Sequence, residues 1–532
     1  MSDGLGLWQR AALLRAGMSR PPTTFVSFPE PRARGLAARG IQYTSGNFII
    51  DGEVVEAPNR SIWEVGQTSL SHQMAAHKFE WVDDLIAAGS PRARHLMVEW
   101  FDAWLGDHEG KSNDTWDPLR VAHRLIRLLN HGALFLQGRD SQQHKRYFTT
   151  VSKHYRYLGY TWQALQDGLP QITALVALLF AAHATQSSDA EFQRFVTKMG
   201  ETCRKFIGED GGIPSRNPEE LMQIFSLLSW TSRVIEALDI PMNKGILRGL
   251  ELSAPCLRSL RFANGNLSVF QSGGPGMEGR LDQALADGRV RAPANPDGAM
   301  GYQRLSAARS MLIVDAGVPR SLPSLGAFEF AAGRHPIIVN SGASGAFGER
   351  WAEKGRRSAA HSMPIVNRTD SSLNVGAASV TREVSGDANS LVIRHEGYLN
   401  SYGILIERRF TLSNDGQALG GEDHFILPNE AARKTYLTVA RGASHLRVPV
   451  SLHFHLAAEA DVQMNLGGTI TSINLPNDQV WGFRKTSGKL TLKPSVLMTP
   501  NRLRPLATQQ IHLAADVGEE GLKLSWLLER LS

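Results

Sequence analysis

The sequence has very little cysteine, with Cys203 and Cys256 as the only two cysteines in 532 residues. Two thiols exclude a disulfide framework and a zinc site built from cysteines. We expect two buried thiols; the alternative is a single bridge between them.

Long hydrophobic runs are also missing. The most apolar stretch covers residues 172–184, which is shorter than the roughly 20 residues that a membrane-spanning helix needs. Residues 1–22 show no uninterrupted apolar segment behind a basic start and no small-residue cleavage site, so they do not resemble a secretory signal. We therefore expect a cytoplasmic protein without a membrane span.

The charge of the chain has only a mild excess of one sign. The formal net charge is +6, and the basic residues are spread out, with small groups at Arg356–Arg357 and Arg408–Arg409. A nucleic-acid-binding protein usually concentrates its basic residues on one helix or arm, so we expect no nucleic-acid partner. A locally basic cleft would suit a polyanionic ligand; a slightly basic surface without an anionic partner explains the charge equally well.

Several common catalytic motifs are absent. No GxxxxGK[ST], no GxGxxG after a strand, no GxSxG and no HExxH occurs in a suitable context. This argues against a phosphate-binding loop, a serine-hydrolase elbow and a zinc-protease helix. The glycine-rich GGPGMEGR segment has no strand-to-helix setting that would hold phosphate.

What the sequence does contain is a helical first half. After residue 60, apolar residues recur at helical spacing in HLMVEWFDAWL, PLRVAHRLIRLLNHGALFL, PQITALVALLFAAHA and ELMQIFSLLSWTSRVIEAL. Asp117-Pro118 and Asn217-Pro218 each place a capping residue before a proline at the first helical position. This pattern predicts an all-α domain, an (α/α) layered array of helices, over residues 61–263, preceded by an N-terminal extension, 1–60, with a hairpin at Asp51-Gly52.

The second half has the pattern of β-strands. Short β-branched and aromatic runs follow one another at intervals of roughly 8–12 residues, and turn residues such as Asn414–Gly416 and Ser487-Gly488 separate them. The runs include LSVF, SMLIVDAG, PIIVN, GILIERRFTL, TYLTVA, PVSLHFHL and LKLSWLLERL. The chain is thus predicted to be multidomain, with a linker over 264–300 and a C-terminal antiparallel β-sandwich over 301–532.

Specific segments resemble the heparinase II/III family of polysaccharide lyases. In the helical half these are FEWVDDLIAAG, WDPLRVAHRLIRLL and EDGGIPSRNPEELMQIFSLL; in the β half they are GYQRL, IIVNSGASG, RRSAAHSMPIVNRTDSS, RHEGYLNSYGILIERRFTLSNDGQALGGEDHF and VSLHFHL. The resemblance covers nearly the whole chain after residue 60. It implies a helical toroid followed by a β-sandwich. It also implies a periplasmic or cell-envelope location as the alternative to the cytoplasm.

The resemblance also implies a reaction. Active members of the family cleave uronic-acid polysaccharides by β-elimination, so the implied partner is an anionic polysaccharide or oligosaccharide. A neutral or cationic donor must hold the sugar carboxylate, and a tyrosine or histidine must move the proton. In this chain Pro170-Gln171 stands where an Asn-His pair is expected, and RNPEEL stands where a tyrosine often follows the Asp-Gly-Gly segment.

The proton-transfer and carboxylate-holding groups then have to come from other residues. By the resemblance, His361 is the candidate to face the carboxylate, and Tyr302, in GYQRL, is the candidate acid/base. The structural alternatives are a loop histidine bonded to backbone and a tyrosine that caps the sandwich through a backbone hydrogen bond. We predict that both side chains face one cleft.

The remaining candidates are for binding. Arg357 and Trp351 precede His361 and suit a carboxylate and a sugar face, although a charge run is usually a solvated surface. Arg216 and Asn217 open a helix, for which capping is the structural alternative. His395 and His455, on separate strands, would bind zinc with a third ligand if they converged; otherwise no cofactor is expected.

Two functions follow as hypotheses. The first is a polysaccharide lyase that cleaves an anionic, uronate-containing glycan by β-elimination. The second is a catalytically degenerate glycan-binding or regulatory protein that retains the lyase fold, and the departures at Pro170-Gln171 and RNPEEL favour it.

Overall fold

The computed structural model describes residues 5–18, 20–27, 29–31, 35–65, 69–185, 187–342, 344–442, 446–465, 467–499 and 502–532. The chain divides into two compact units. The first comprises Met1–Gly208, Gln223–Leu250 and Ala284–Arg289; the second comprises Glu209–Met222, Glu251–Gln283 and Val290–Ser532. Within the described ranges, no helix is long and apolar enough to cross a membrane.

Helices dominate the chain up to residue 259. They are α1 (Leu7–Gly17), α2 (Ala37–Thr44), α3 (Ile62–Val65), α4 (Leu70–Ala76), α5 (Glu80–Ala88), α6 (Pro91–Asp107), α7 (Pro118–Asn130), α8 (Gly132–Leu136), α9 (Ser141–Thr161), α10 (Leu169–Ala184), α11 (Asp189–Phe206), α12 (Pro218–Ala237) and α13 (Lys244–Ser259). Strands β1 (Asn47–Ile50) and β2 (Glu53–Glu56) form a small hairpin between α2 and α3.

Strands dominate the chain after residue 297. Four short helices lie before or among them: α14 (Arg280–Gly288), α15 (Glu349–Gly355), α16 (Leu399–Tyr402) and α17 (Glu430–Ala440). The strands are β3 (Gly298–Ala299), β4 (Tyr302–Ala307), β5 (Ser310–Asp315), β6 (Phe328–Ala332), β7 (His335–Val339), β8 (Pro364–Val366), β9 (Ser379–Val384), β10 (Ala388–Tyr398), β11 (Ile404–Ser413), β12 (Ala418–Ile426), β13 (Val448–Leu456), β14 (Asp461–Met464), β15 (Ile470–Asn474), β16 (Val480–Lys485), β17 (Lys489–Leu497), β18 (Leu506–Val517) and β19 (Leu522–Arg530).

The strands of the second unit form two antiparallel sheets. One has the order β14-β15-β16-β19-β12-β11-β10-β9; the other has the order β17-β18-β13-β7-β6-β5-β4-β3, with β8 paired to β13. Aromatic rings from the two sheets meet in a shared core: Phe328 of β6 lies 5.0 Å from Phe410 of β11, and Phe454 of β13 lies 5.0 Å from Trp526 of β19. The predicted helical half followed by antiparallel sheets is confirmed.

Local sequence signals account for much of the first unit. Asp51 and Gly52, both with positive φ, form the two-residue turn of the predicted hairpin. Asp117 caps α7 by accepting hydrogen bonds from two backbone N–H groups, as predicted. The most apolar stretch forms α10, which is buried on every side from residue 172 to 182. Both predicted buried thiols are confirmed, since Cys203 and Cys256 are free and buried.

Two predicted strands were wrong. TYLTVA lies in helix α17, because Asn429 caps that helix through the N–H of Ala432 and the residues before the run are good helix formers. The phenol of Tyr436 then donates to backbone oxygens, among them that of Val517, which fixes the helix on the sheet. LSVF makes only an isolated bridge, between Leu267 and Arg261. The segment predicted as a linker, 264–300, contains helix α14.

Candidate functional site

Tyr302, the candidate acid/base, begins strand β4 and is 1% exposed. Its phenol donates a hydrogen bond of 2.6 Å to the backbone oxygen of Arg216, and its ring stacks on Phe270 at 4.8 Å. Burial, together with the nearby carboxylate of Asp315, raises the pKa of Tyr302 well above its ordinary value. The phenol therefore has a complete structural role and is not free to exchange a proton with a bound sugar.

Arg216, a candidate substrate contact, is the centre of the same cluster. Its guanidinium pairs with Asp315 at 2.5 Å and donates to the backbone oxygens of Met300 at 3.0 Å and Val318 at 2.8 Å. It also lies over the ring of Tyr302, 4.6 Å from the centroid. Each of its three guanidinium nitrogens donates to a group of the second unit, so Arg216 acts as a structural cation.

Two glycines make room for this guanidinium. A Cβ added to Gly317 would lie 2.4 Å from the central carbon of Arg216, and one added to Gly301 would lie 3.0 Å from its Nε. The first distance is shorter than real Cβ atoms show, and the second is tighter than an ordinary contact. The opposite carboxylate oxygen of Asp315 accepts a hydrogen bond of 2.9 Å from Ser324. The cluster is thus built by backbone shape as well as by charge.

His361, the candidate carboxylate-facing residue, lies in the loop before β8 and is 5% exposed. Neither ring nitrogen has a hydrogen-bond partner among the residues that the structure describes. Burial and the neighbouring His455 lower the pKa of His361 to about 3. The imidazole is therefore neutral at physiological pH and offers no positive charge to a uronate carboxylate.

His361 and Tyr302 do not share partners. The contacts of Tyr302 are with Arg216, Phe270 and Asp315, whereas the electrostatic neighbour of His361 is His455. The structure does bring Arg216 together with Tyr302. Both predicted catalytic side chains are buried.

The two candidate zinc ligands lie on different sheets. His455, on β13, already bonds the backbone oxygen of Ala359 at 3.0 Å and the hydroxyl of Ser495 at 2.6 Å through its two ring nitrogens. His395, on β10 in the other sheet, accepts a hydrogen bond from the backbone of Gly397. The described part of the chain holds no group of three His, Cys, Asp or Glu side chains placed to bind a metal ion, whereas zinc takes at least three protein ligands.

Asn217 acts as the predicted helix cap. Its side-chain oxygen accepts hydrogen bonds of 2.9 and 3.1 Å from the N–H groups of Glu219 and Glu220 at the start of α12. Close packing against Gly273, where an added Cβ would lie 2.4 Å from that oxygen, fixes the cap further. These contacts support the structural alternative for Asn217, which is a helix cap.

Arg357 and Trp351 lie nearer the surface. The Arg357 side chain is 56% exposed and pairs with Asp370 at 2.7 Å. Trp351 is half-buried on the short helix α15. Arg357, Trp351 and Asn217 are the predicted site residues that are not fully buried. An exposed ion pair such as that of Arg357 contributes at most about 1 kcal/mol.

The sequence analysis missed a buried ion pair between Arg408 and Asp423, whose side chains are each 1% exposed and 2.5 Å apart. The two residues are direct partners in the β11–β12 register, and Arg408 also donates to the backbone oxygen of Gly326 at 2.6 Å. The sequence contained a signal for this pair. Arg408 lies on the same strand face as Ile406 and Phe410, which are two positions before and after it and are buried, so Arg408 points to the core.

The fold defines the class of protein to which this chain is similar. A crystal structure of heparinase III matches with a TM-score of 0.69 at 12% identity and covers 98% of this chain and 89% of that one. A heparan sulfate lyase from Pedobacter heparinus matches with a TM-score of 0.53 at 12% identity, over 98% of this chain and 87% of that one. The chain has a polysaccharide-lyase fold.

The family is shown by sequence in the β half. Residues 290–527 match the family model described as heparinase II/III-like, C-terminal. This segment belongs to that family of domains, and the resemblance predicted from the sequence is confirmed. A relative of a different kind, the FtsZ-localized protein C of Caulobacter vibrioides, is 23% identical over 94% of this chain and 91% of its own length.

Proposed function

We propose that this chain uses the polysaccharide-lyase fold as a binding scaffold, does not carry out β-elimination, and associates with FtsZ in bacterial cell division. The observation that carries the proposal is the position of Tyr302. Its phenol is buried and donates to the backbone of Arg216, whereas elimination would need the phenol beside a sugar ring.

The chemistry of elimination supports this step. The reaction needs a proton-transfer group and a carboxylate-holding group within a few ångströms of the same ring. The pKa of Tyr302 is raised by burial, and that of His361 is lowered to about 3 by burial. The first group therefore keeps its proton and does not suit the role of a base at physiological pH. The second stays neutral and brings no positive charge to a carboxylate, and its side chain is buried away from a polymer.

The binding role is supported by the relative that spans nearly the whole chain. Its name places it with FtsZ, and the alignment covers 94% of this chain and 91% of the relative. The lyases, at 12% identity, share the fold. A catalytically degenerate glycan-binding or regulatory protein was one of the two functions predicted from the sequence, and the structural contacts of Tyr302 and Arg216 favour the loss of catalysis.

The first test looks for elimination. The purified full-length protein is incubated with heparan sulfate and with chondroitin sulfate, and the ultraviolet absorbance of the unsaturated uronate product is followed. We expect no product from either polymer; saturable glycan binding without product would agree with the proposal. Product formation would overturn it, and loss of that product in Tyr302→Phe and His361→Ala would return both residues to the catalytic role.

The second test addresses FtsZ. FtsZ is polymerised with GTP, the polymers are pelleted, and the protein in the pellet is measured at increasing concentration. We expect saturable co-sedimentation with GTP and none in a matched GDP sample, where polymers do not form. Equal pelleting in both samples, or none in either, would overturn the association with FtsZ and would leave the result of the elimination assay unaffected.

A further inference from the structure

Helix α1 is apolar on two sides, and the residues that the structure describes cover only one of them. Ala12, Leu13 and Ala16 are buried, and the helix packs against α9. The opposite side carries Leu7 and Leu14, which are 85% and 74% exposed. A helix that is hydrophobic all round is normally covered all round, so the outer face of α1 is unusual.

The exposed apolar residues form one stripe. Leu7, Ala11, Leu14 and Met18 follow the spacing i, i+4, i+7 and i+11, which places them within about 60° of one another around the helix axis. Met18 is 81% exposed. We call these four residues the α1 stripe.

Positive charge borders the stripe. Arg10 and Arg15 lie on its two sides by helical position, and exposed Arg20 follows the helix. Residues 5–27 contain no Asp or Glu. The face is therefore apolar along its centre and basic along both edges.

Two aromatic side chains stand beside the same face. Trp8 is 51% exposed on α1, and Tyr160 is 42% exposed on α9. The guanidinium of Arg15 lies over the ring of Tyr160, 5.1 Å from its centroid. Tryptophan and tyrosine favour the boundary between lipid headgroups and acyl chains, because each has an apolar ring and a polar edge.

We infer that α1 binds the surface of an anionic lipid bilayer, with the α1 stripe in the headgroup–acyl boundary and Arg10, Arg15 and Arg20 among the lipid phosphates. A helix that lies in a membrane interface presents leucine and tryptophan on one face and arginine around it. The covered side of α1 stays packed on α9, so the helix need not leave the protein to bind. This inference rests on α1 alone and is independent of the proposed association with FtsZ.

The charges favour lipid over a second copy of this chain. In a symmetric dimer the same face meets itself, and the arginine borders of the two copies would then lie close together and repel. Anionic lipid headgroups supply the opposite charge to all three arginines, and each arginine near such a surface strengthens binding about fivefold.

The test measures flotation of the full-length protein with vesicles of equal parts phosphatidylglycerol and phosphatidylcholine, and with phosphatidylcholine alone. We expect flotation with the mixed vesicles and little with the neutral ones. The double variant Leu7→Glu/Leu14→Glu should remain at the bottom of the gradient. The triple variant Arg10→Gln/Arg15→Gln/Arg20→Gln should lose about 100-fold in partition coefficient, from fivefold per arginine.

Matched controls separate this surface from general effects. Val384→Glu introduces a charge at a residue that is 84% exposed on β9, and Arg309→Gln/Arg334→Gln/Arg530→Gln removes three exposed arginines at strand ends. Both controls should float like the wild type, and calorimetry should show unchanged melting for every variant. The inference would be overturned if the wild type did not float, or if Leu7→Glu/Leu14→Glu still floated with the mixed vesicles. It would also be overturned if light scattering showed a dimer that this double variant abolishes.

Discussion

Replacement of Arg216 by methionine should destabilise the second unit strongly, because it removes one partner of a buried ion pair. The two side chains are 7% and 1% exposed and 2.5 Å apart. Loss of Arg216 leaves the Asp315 carboxylate buried without its cation, and it frees the backbone oxygens of Met300 and Val318. Breaking a buried pair in this way costs about 3–5 kcal/mol.

That loss can be converted into a melting shift. The second unit contains roughly 290 residues, and the unfolding entropy is about 2.1 cal/mol/K per residue. A loss of about 3–5 kcal/mol then lowers the melting temperature of this unit by about 5–8 °C. Scanning calorimetry of the full-length protein measures the shift directly.

Two further variants make the reasoning specific. Arg216→Met/Asp315→Leu removes both charges, so it should be less destabilised than the sum of its two single variants, with a coupling of about 2–3 kcal/mol. Arg357→Met breaks an exposed pair with Asp370 and should change stability by no more than about 1 kcal/mol. If Arg216→Met melts within about 1 °C of the wild type, the guanidinium is not structural, and its role as a ligand contact becomes the better explanation.

Two other predictions concern the residues first assigned to catalysis. The pKa of His361 falls from its ordinary 6.5 to about 3 in the folded protein. Between these two pH values the imidazole is protonated in the unfolded chain and neutral in the folded one. The folded state therefore loses stability as the pH falls from 6.5 toward 3. His361→Gln should therefore reduce the dependence of unfolding free energy on pH in this window by about 1.4 kcal/mol per pH unit, measured by urea unfolding; an unchanged slope would contradict the buried neutral imidazole. Tyr302→Phe should leave the buried backbone oxygen of Arg216 without its donor and lower stability by about 1–3 kcal/mol in the same assay, whereas an unaffected midpoint would mean that the phenol is not held as described.

The sequence by itself determined most of the helices and strands and the family of the C-terminal segment. The helical spacing in the first half, the short β runs in the second, the hairpin at Asp51-Gly52 and the cap at Asp117 are local signals, and each is set by residues a few positions apart. The resemblance that the sequence suggested is confirmed over residues 290–527. TYLTVA shows the limit of local pattern, because its β-branched residues suit a strand, yet the cap at Asn429 and the contact of Tyr436 with Val517 keep it helical.

Only the tertiary structure decided what the candidate residues do. Tyr302 and Arg216 are separated by 86 positions along the chain, and nothing local indicates that the phenol of one meets the backbone oxygen of the other. Asp315, which neutralises Arg216, and the two glycines that admit the guanidinium also come from distant positions. Burial decides the pKa of His361 and of Tyr302, and burial is a property of the folded packing, because the free energy of a charged group depends on everything that replaces water around it.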